Sequence, residues 1–240
     1  MTGVQTCALP ICLGHRAVGR VLVDNDANAA LWAEARFGAA QDSLDAVMIT
    51  LGTGIGGALV GRGMMLRGTN GMAGEFGHMQ VVPDGLECEC GRRGCWGQYC
   101  SGRALARAAA EHGSTLTGPA LTTAAREGDA AAAAAYAEVG RWLGVGMANL
   151  AAALDPPLIV VGGGVSAAGD LLLAPAREAL AGSLVGVGHR DLPEVVGAVL
   201  GPLAGVVGAA DLARVASRPS RVGRWGRAPS RVARGRARRR

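Results

Sequence analysis

The sequence predicts an α/β fold, on three observations. Two short apolar runs, AVMITL at 46–51 and LIVV at 158–161, have the length and β-branched content of buried strands. Longer stretches with helical composition alternate with them along the chain. Glycine turns, GTGIGG at 52–57 and GGG at 162–164, stand at the strand ends.

Arg20–Val23 is the first apolar run and is expected to be a strand stopping at Asp24, with Asn25 and Asp26 in the turn that follows. Ala27–Phe37 is rich in helix formers and has Gly38 as its stop. Ala46–Leu51 is a buried-type strand, and Ala58–Val60 is a second one beyond the glycines. No helix follows GTGIGG, whereas a dinucleotide fingerprint needs strand, glycine turn and helix in that order. A hairpin fits instead. Its turn either offers backbone N–H groups to a phosphate or is a plain glycine-rich connection. Asp129–Leu154 reads as a long alanine-rich helix with Tyr136, Val139, Trp142 and Leu143 on a core face, ended by Asp155-Pro156-Pro157. Leu158–Val161 runs into Gly162, Gly163 and Gly164, and a helix is expected over Ala167–Leu180. Here strand, glycine turn and helix do occur in order, so the turn amides and the helix N-terminus can face a nucleotide phosphate. Tight helix-on-sheet packing through small residues is the other reading.

The chain has 240 residues, half of them hydrophobic, with 39 Gly, enough for one large or two small domains. No apolar run approaches the roughly 20 residues of a membrane helix, and the start lacks the basic and apolar regions of a signal peptide. A soluble, cytoplasmic protein with reduced thiols is expected, with no membrane partner. All 24 basic residues are Arg, and ten of them follow Ala216. Residues 1–216 therefore carry 14 Arg against all 19 acids, a net of −5, and the overall +5 belongs to the tail. An Arg run with one Trp can bind nucleic acid, but low-complexity charged ends are commonly disordered extensions, and that reading is preferred. MTGVQTCALPIC has no helical or strand period and resembles translated adapter sequence, so it is set outside the fold with Cys7 and Cys12. The expected organisation is a leader at 1–20, a core at 21–215 and a basic tail at 216–240.

His78, Cys88, Cys90 and Cys95 form H-x9-C-x-C-x4-C. One imidazole and three thiolates suit tetrahedral zinc, and four ligands leave no open position, which makes the site structural. Gly91 and Gly94 allow the tight loop between Cys90 and Cys95. Cys88 and Cys90 are separated by one residue, so no C-x-x-C redox pair is present. Free thiols are the alternative.

NDANAA (25–30), GTGIGG (52–57), GMAGEFGH (71–78), CECGRRGC (88–95) and DPPLIVVGGGVS (155–166) occur in this order. With them the chain resembles the ROK family of bacterial sugar kinases and repressors, and its actinobacterial glucokinase branch most of all, over about residues 20–215. The resemblance implies an actin-like, ribonuclease H-like ATPase fold of two lobes, present here mainly as the large C-terminal lobe. It implies phosphorylation of the 6-hydroxyl of glucose by ATP with Mg²⁺, with Asp26 as general base. Asn25, Asp26, Glu75 and His78 would contact the sugar, His78 with its other ring nitrogen on the zinc. Gly52, Thr53, Gly54, Gly56, Gly162, Gly163 and Gly164 would contact the nucleotide. A homo-oligomer is implied as well. On residues alone, Asp26 is equally an N-cap for a helix at Ala27. A sugar-responsive repressor is the alternative function, and a zinc-stabilised nucleic-acid binder using the Arg tail is the third.

Two departures from the family pattern matter. Its opening Asp-x-Gly-Gly-Thr phosphate loop does not occur in these residues, so the first lobe is expected to be largely missing and turnover impaired, since positioning dominates phosphoryl transfer. After the last metal cysteine the family reads Cys-x-Glu, with the Glu on sugar hydroxyls, whereas this chain reads Cys95-Trp96-Gly97. Cys100 cannot stand in for that Glu, because a thiol is a weak acceptor.

Overall fold

In the computed structural model, which describes residues 22–216, the apolar runs join one mixed sheet. Its strands are β1 (Ala46–Leu51), β2 (Ile55–Gly61), β3 (Met64–Met65), β4 (Leu158–Gly162) and β5 (Glu194–Gly197), in the order β3-β2-β1-β4-β5. β1 and β2 form the expected antiparallel hairpin, while β4 runs parallel to both β1 and β5. β2 is longer than Ala58–Val60 because Ile55, Gly56 and Gly57 also pair with Leu51, Thr50 and Ile49.

Side chains alternate across the sheet, and both faces are covered. Val47, Ile49, Leu51, Ile159 and Val161 enter one core, and Ala46, Met48, Leu158 and Val160 enter the other. The helices are α1 (Asp26–Phe37), α2 (Gly102–Glu111), α3 (Gly118–Arg126), α4 (Ala130–Leu154), α5 (Asp170–Ser183) and α6 (Ala204–Ala216). Residues of α2 to α5 fill the first core, and residues of α1 and α6 fill the second.

Asp129 caps α4 by accepting the Ala132 N–H at 2.7 Å, and Asp155 ends it in the left-handed region at φ 48°. Tyr136, Val139 and Leu143 are buried as expected, while Trp142 is half-buried and tilts against Tyr99, ring centroids 4.9 Å apart. Glycine lets α4 meet α5. A Cβ at Gly140 would lie 2.6 Å from the Leu172 carbonyl oxygen, and one at Gly144 would lie 2.4 Å from that of Ala176.

α1 is held from two directions. Gly208 of α6 packs so closely that a Cβ there would sit 1.7 Å from the Ala29 carbonyl oxygen. Asp211 of α6 accepts from Trp32 Nε1 at 2.9 Å and pairs with Arg36 and Arg214. Burial opposes its charge, but the Arg214 and Trp32 hydrogen bonds outweigh that and hold it below the usual carboxylate range. The buried Glu34 carboxylate accepts the N–H groups of Ala39, Val199 and Leu200, fastening the end of α1 to the chain after β5.

Two expectations change. Leu22 and Val23 are exposed and form no strand, because no neighbouring strand offers them a ladder among the described residues; Arg20 and Val21 lie outside those residues. The helix expected over Ala167–Leu180 begins at Asp170 instead. Gly164–Ala168 is a 3₁₀ turn, and Gly169, at φ 65°, breaks it from α5. The leader and nearly all of the tail also lie outside the described residues. Among those residues no helix is long and apolar enough to cross a membrane.

Candidate functional site

The α1 N-terminus separates two jobs that the sequence left open for one residue. Asn25 is the N-cap: its Oδ1 accepts the N–H groups of Ala27 at 2.8 Å and Asn28 at 3.3 Å. The expected alternative of Asp26 as cap is therefore corrected, since Asp26 is the first helical residue. Its exposed carboxylate accepts a single hydrogen bond among the described residues, from the Ala27 N–H at 2.8 Å.

Asp24 fixes this turn, a role not read from the sequence. Its Oδ1 accepts Asn25 N–H at 2.9 Å and Asn28 Nδ2 at 2.8 Å, and its Oδ2 accepts Arg67 Nε at 3.0 Å and Nη2 at 2.5 Å. Burial raises the Asp24 pKa, but Arg67 and Asn28 outweigh it and keep the group below its ordinary value. The four-residue spacing of Asp24 and Asn28 is a readable helix-start signal; Arg67 is far away in sequence and is not. Asn25 and Asp26 open on a cavity of about 830 Å³ also lined by Trp32, Met65, Arg67 and Leu212.

Glu75 and His78 are seated along β2 through glycine contacts. A Cβ at Gly57 would fall 2.1 Å from the Phe76 ring, one at Gly74 2.3 Å from the Gly57 carbonyl oxygen, and one at Gly77 2.6 Å from that of Ile55. The backbone of 74–77 thus lies directly on β2, with Glu75 and His78 exposed beside it. A Cβ at Gly56 would come 3.5 Å from Ala27 Cβ, so the start of α1 lies along that strand too.

The two glycine segments also meet. Gly52, Thr53 and Gly54 form the β1–β2 turn, and Cβ atoms added at Gly52, Gly54 or Gly164 would touch nothing within 4 Å. Gly163, at φ 85°, crosses the end of β1 so closely that a Cβ would lie 2.4 Å from the Leu51 carbonyl oxygen. Gly162 pairs in register with Thr50. Gly56 stands apart from the turn, within β2 opposite Thr50.

His78, Cys88, Cys90 and Cys95 converge, with all four donor atoms within 4.8 Å of one another. His78 Nδ1 is 3.6 Å from Cys88 Sγ, and Cys90 Sγ is 3.6 Å from Cys95 Sγ. Tetrahedral bonds of about 2.3 Å put sulfurs roughly 3.7 Å apart, so the donor set fits a four-coordinate, thiophilic divalent cation. Charge supports that fit. Burial raises the Cys88 thiol, but hydrogen bonds from Cys90, Cys95 and His78 outweigh it and hold it down to about 6. Burial, the neighbouring thiols and the charges of Cys88 and Cys90 push Cys95 up to about 12. Several thiolates this close need a cation to ionise together. Cys100 is outside the cluster, fully buried in the core, where desolvation raises its thiol pKa. A chelator is accordingly expected to open Cys88, Cys90 and Cys95 to alkylation while Cys100 stays protected, as read by peptide mass mapping; equal labelling of all four in the untreated protein would contradict the cluster.

Trp96 anchors this loop. It is buried, donates Nε1 to the Trp142 carbonyl at 2.8 Å, and fills the space over Gly146, where a Cβ would lie 2.0 Å from its ring. The next residue, Gly97, faces the sugar-loop candidates: a Cβ there would be 3.3 Å from the Gly77 carbonyl oxygen.

The family model for the ROK family matches residues 12–216. A glucokinase of Streptomyces coelicolor is 44% identical over 212 residues, which cover 81% of this chain and 67% of that protein. The crystal structure of a ROK family glucokinase from Streptomyces griseus in complex with glucose and AMPPNP matches at a TM-score of 0.82 with 45% identity, covering 86% of this chain and 72% of that one. A ROK hexokinase from Thermus thermophilus matches at a TM-score of 0.71 with 35% identity, covering 85% and 69%.

Proposed function

The chain belongs to the ROK family, with that family's actin-like ATPase fold, and from there we propose that it is a glucokinase, transferring the γ-phosphoryl group of ATP to the 6-hydroxyl of glucose. The observation that carries this reading is the carboxylate of Asp26: it is exposed, fixed by a helix whose cap is a different residue, and next to the strand that seats Glu75 and His78.

In this mechanism Asp26 takes the proton from the 6-hydroxyl as that oxygen attacks phosphorus, the attacking bond forming as the bond to the ADP oxygen breaks. MgATP is the second substrate, its charge partly neutralised by the magnesium it brings. Glu75 accepts hydrogen bonds from sugar hydroxyls, and Asn25, its oxygen held by the helix cap, donates to them through Nδ2. His78 has Nδ1 toward the thiols, which leaves Nε2 for the sugar. The open turn of Gly52, Thr53 and Gly54, with Gly162, Gly163 and Gly164 beside it and Gly56 behind it, holds the nucleotide phosphates through backbone amides.

Zinc is the cation proposed for His78, Cys88, Cys90 and Cys95. When bound it neutralises the thiolates and closes the 78–95 loop, a structural role. Residues 21–215 are the catalytic core in this reading, and the cytoplasm, where thiols stay reduced, is its place. Identity of 44% to a glucokinase favours an enzyme over a sugar-responsive repressor.

A coupled assay for ADP tests the proposal. ADP release is expected to require both glucose and MgATP and to saturate only at high glucose, because Gly97 offers no carboxylate. Nucleotide hydrolysis at the same rate with and without glucose would overturn it.

A further inference from the structure

The thiol cluster and the glycine turn are joined by a single side chain. Arg103, in the first turn of α2, donates Nη2 to Glu89 Oε2 at 2.9 Å and Nη1 to Oε1, a two-pronged pair. Its Nε donates to the Thr53 carbonyl at 3.1 Å. Glu89 lies between Cys88 and Cys90, and Thr53 is the middle residue of the open turn. The preceding residue adds to this. Gly102 N–H donates to the Gly52 carbonyl at 2.8 Å, and a Cβ at Gly102 would stand 2.9 Å from that oxygen. Ser101 caps α2 by accepting the Ala104 N–H at 3.2 Å, so both donors rest on a fixed helix start.

The geometry has a chemical consequence. Across a trans peptide, the carbonyl of one residue and the N–H of the next point in opposite directions. With the Gly52 and Thr53 carbonyls both held by α2, the N–H groups of Thr53 and Gly54 turn to the other, open side. Two adjacent outward amides form an anion-facing concavity.

We propose that Arg103 is a positioning residue for nucleotide binding: through Glu89 it latches the metal loop to the Thr53 carbonyl, so that the thiolate cluster fixes the shape of the phosphate turn. This rests on the reading that residues 52–54 hold the nucleotide. A rival role, direct contact of the Arg103 guanidinium with phosphate, makes the opposite prediction. Freeing Arg103 by Glu89→Ala would then tighten nucleotide binding, whereas the latch requires it to weaken.

The test uses the full chain and the variants Arg103→Met, Glu89→Ala and both together, with circular dichroism as the folding control; Glu89 is exposed, so its replacement leaves the core intact. Hydrogen exchange is followed on peptides covering 50–56 and 100–105, where Gly52 and Gly102 amides are hydrogen-bonded, and the Kd for MgAMPPNP is measured by calorimetry. Each single variant, and chelation of the metal, is expected to speed exchange at both peptides and raise the Kd by roughly 5-fold or more. The double variant should be no worse than Arg103→Met. Unchanged exchange in Arg103→Met, or tighter binding in Glu89→Ala, overturns the latch. Faster exchange in the variants with no MgAMPPNP binding by the unaltered chain instead overturns the nucleotide reading of the turn, and with it this role for Arg103.

Discussion

Replacing Gly97 with Glu is expected to tighten glucose binding about 10- to 100-fold, since a hydrogen bond to a charged group contributes roughly 1.5–3 kcal/mol and about 1.4 kcal/mol is tenfold in affinity. Gly97 lies in the 3₁₀ turn Trp96–Gln98 and is not among the glycines in the left-handed region, so a side chain meets no backbone strain there. The added Cβ would stand 3.3 Å from the Gly77 carbonyl oxygen, a contact relieved by a shift of a few tenths of an ångström. Gly77 lies between Glu75 and His78, so the new carboxylate starts from the wall that carries both. Trp96 keeps the turn in place by filling the core beside it. Calorimetry with glucose on both proteins checks this. A folded Gly97→Glu protein with unaltered glucose affinity would show that position 97 does not face the sugar.

Asp26→Asn is expected to lower kcat about 100- to 10,000-fold, with the MgATP dissociation constant nearly unchanged and the glucose one raised by only about 10-fold, the signature of a lost general base that also contacts the 6-hydroxyl. Asparagine has the same shape and still offers an oxygen to the Ala27 N–H. Helix α1 keeps its start because Asn25, not Asp26, caps it. Initial rates at saturating substrates, with thermal melts of both proteins, separate a catalytic loss from unfolding. A fall in Tm matching the fall in rate would assign Asp26 a structural role instead.

Local signals carried much of this molecule. AVMITL and LIVV are strands because both of their faces are buried, and continuous apolar runs announce that directly. The thiol–imidazole cluster was legible for a similar reason: three of its four donors lie within eight residues, and only His78 is brought in by folding. Other features were hidden by the same composition that makes the core. The alanine-rich stretch from 102 to 126 is capped at Ser101 and broken at Gly113, Gly118 and Pro119, so α2 and α3 carry readable bounds, while their packing on α4 is hidden in its alanines. β5 is four residues long with one buried side chain, too brief to show a period. The contact glycines, 57, 74 and 77, look like loop residues, yet what they provide is close backbone approach. Asp24 with Arg67, and Glu89 with Arg103, are pairings across distant segments that no local pattern encodes.

The most direct measurement is a ³¹P NMR time course of the purified chain with glucose and MgATP. A growing hexose 6-phosphate resonance is expected that matches the ADP formed, rises with glucose concentration and slows about 100-fold or more in Asp26→Asn. ADP appearing with inorganic phosphate and no sugar phosphate, or sugar phosphate formed equally well by Asp26→Asn, would contradict it.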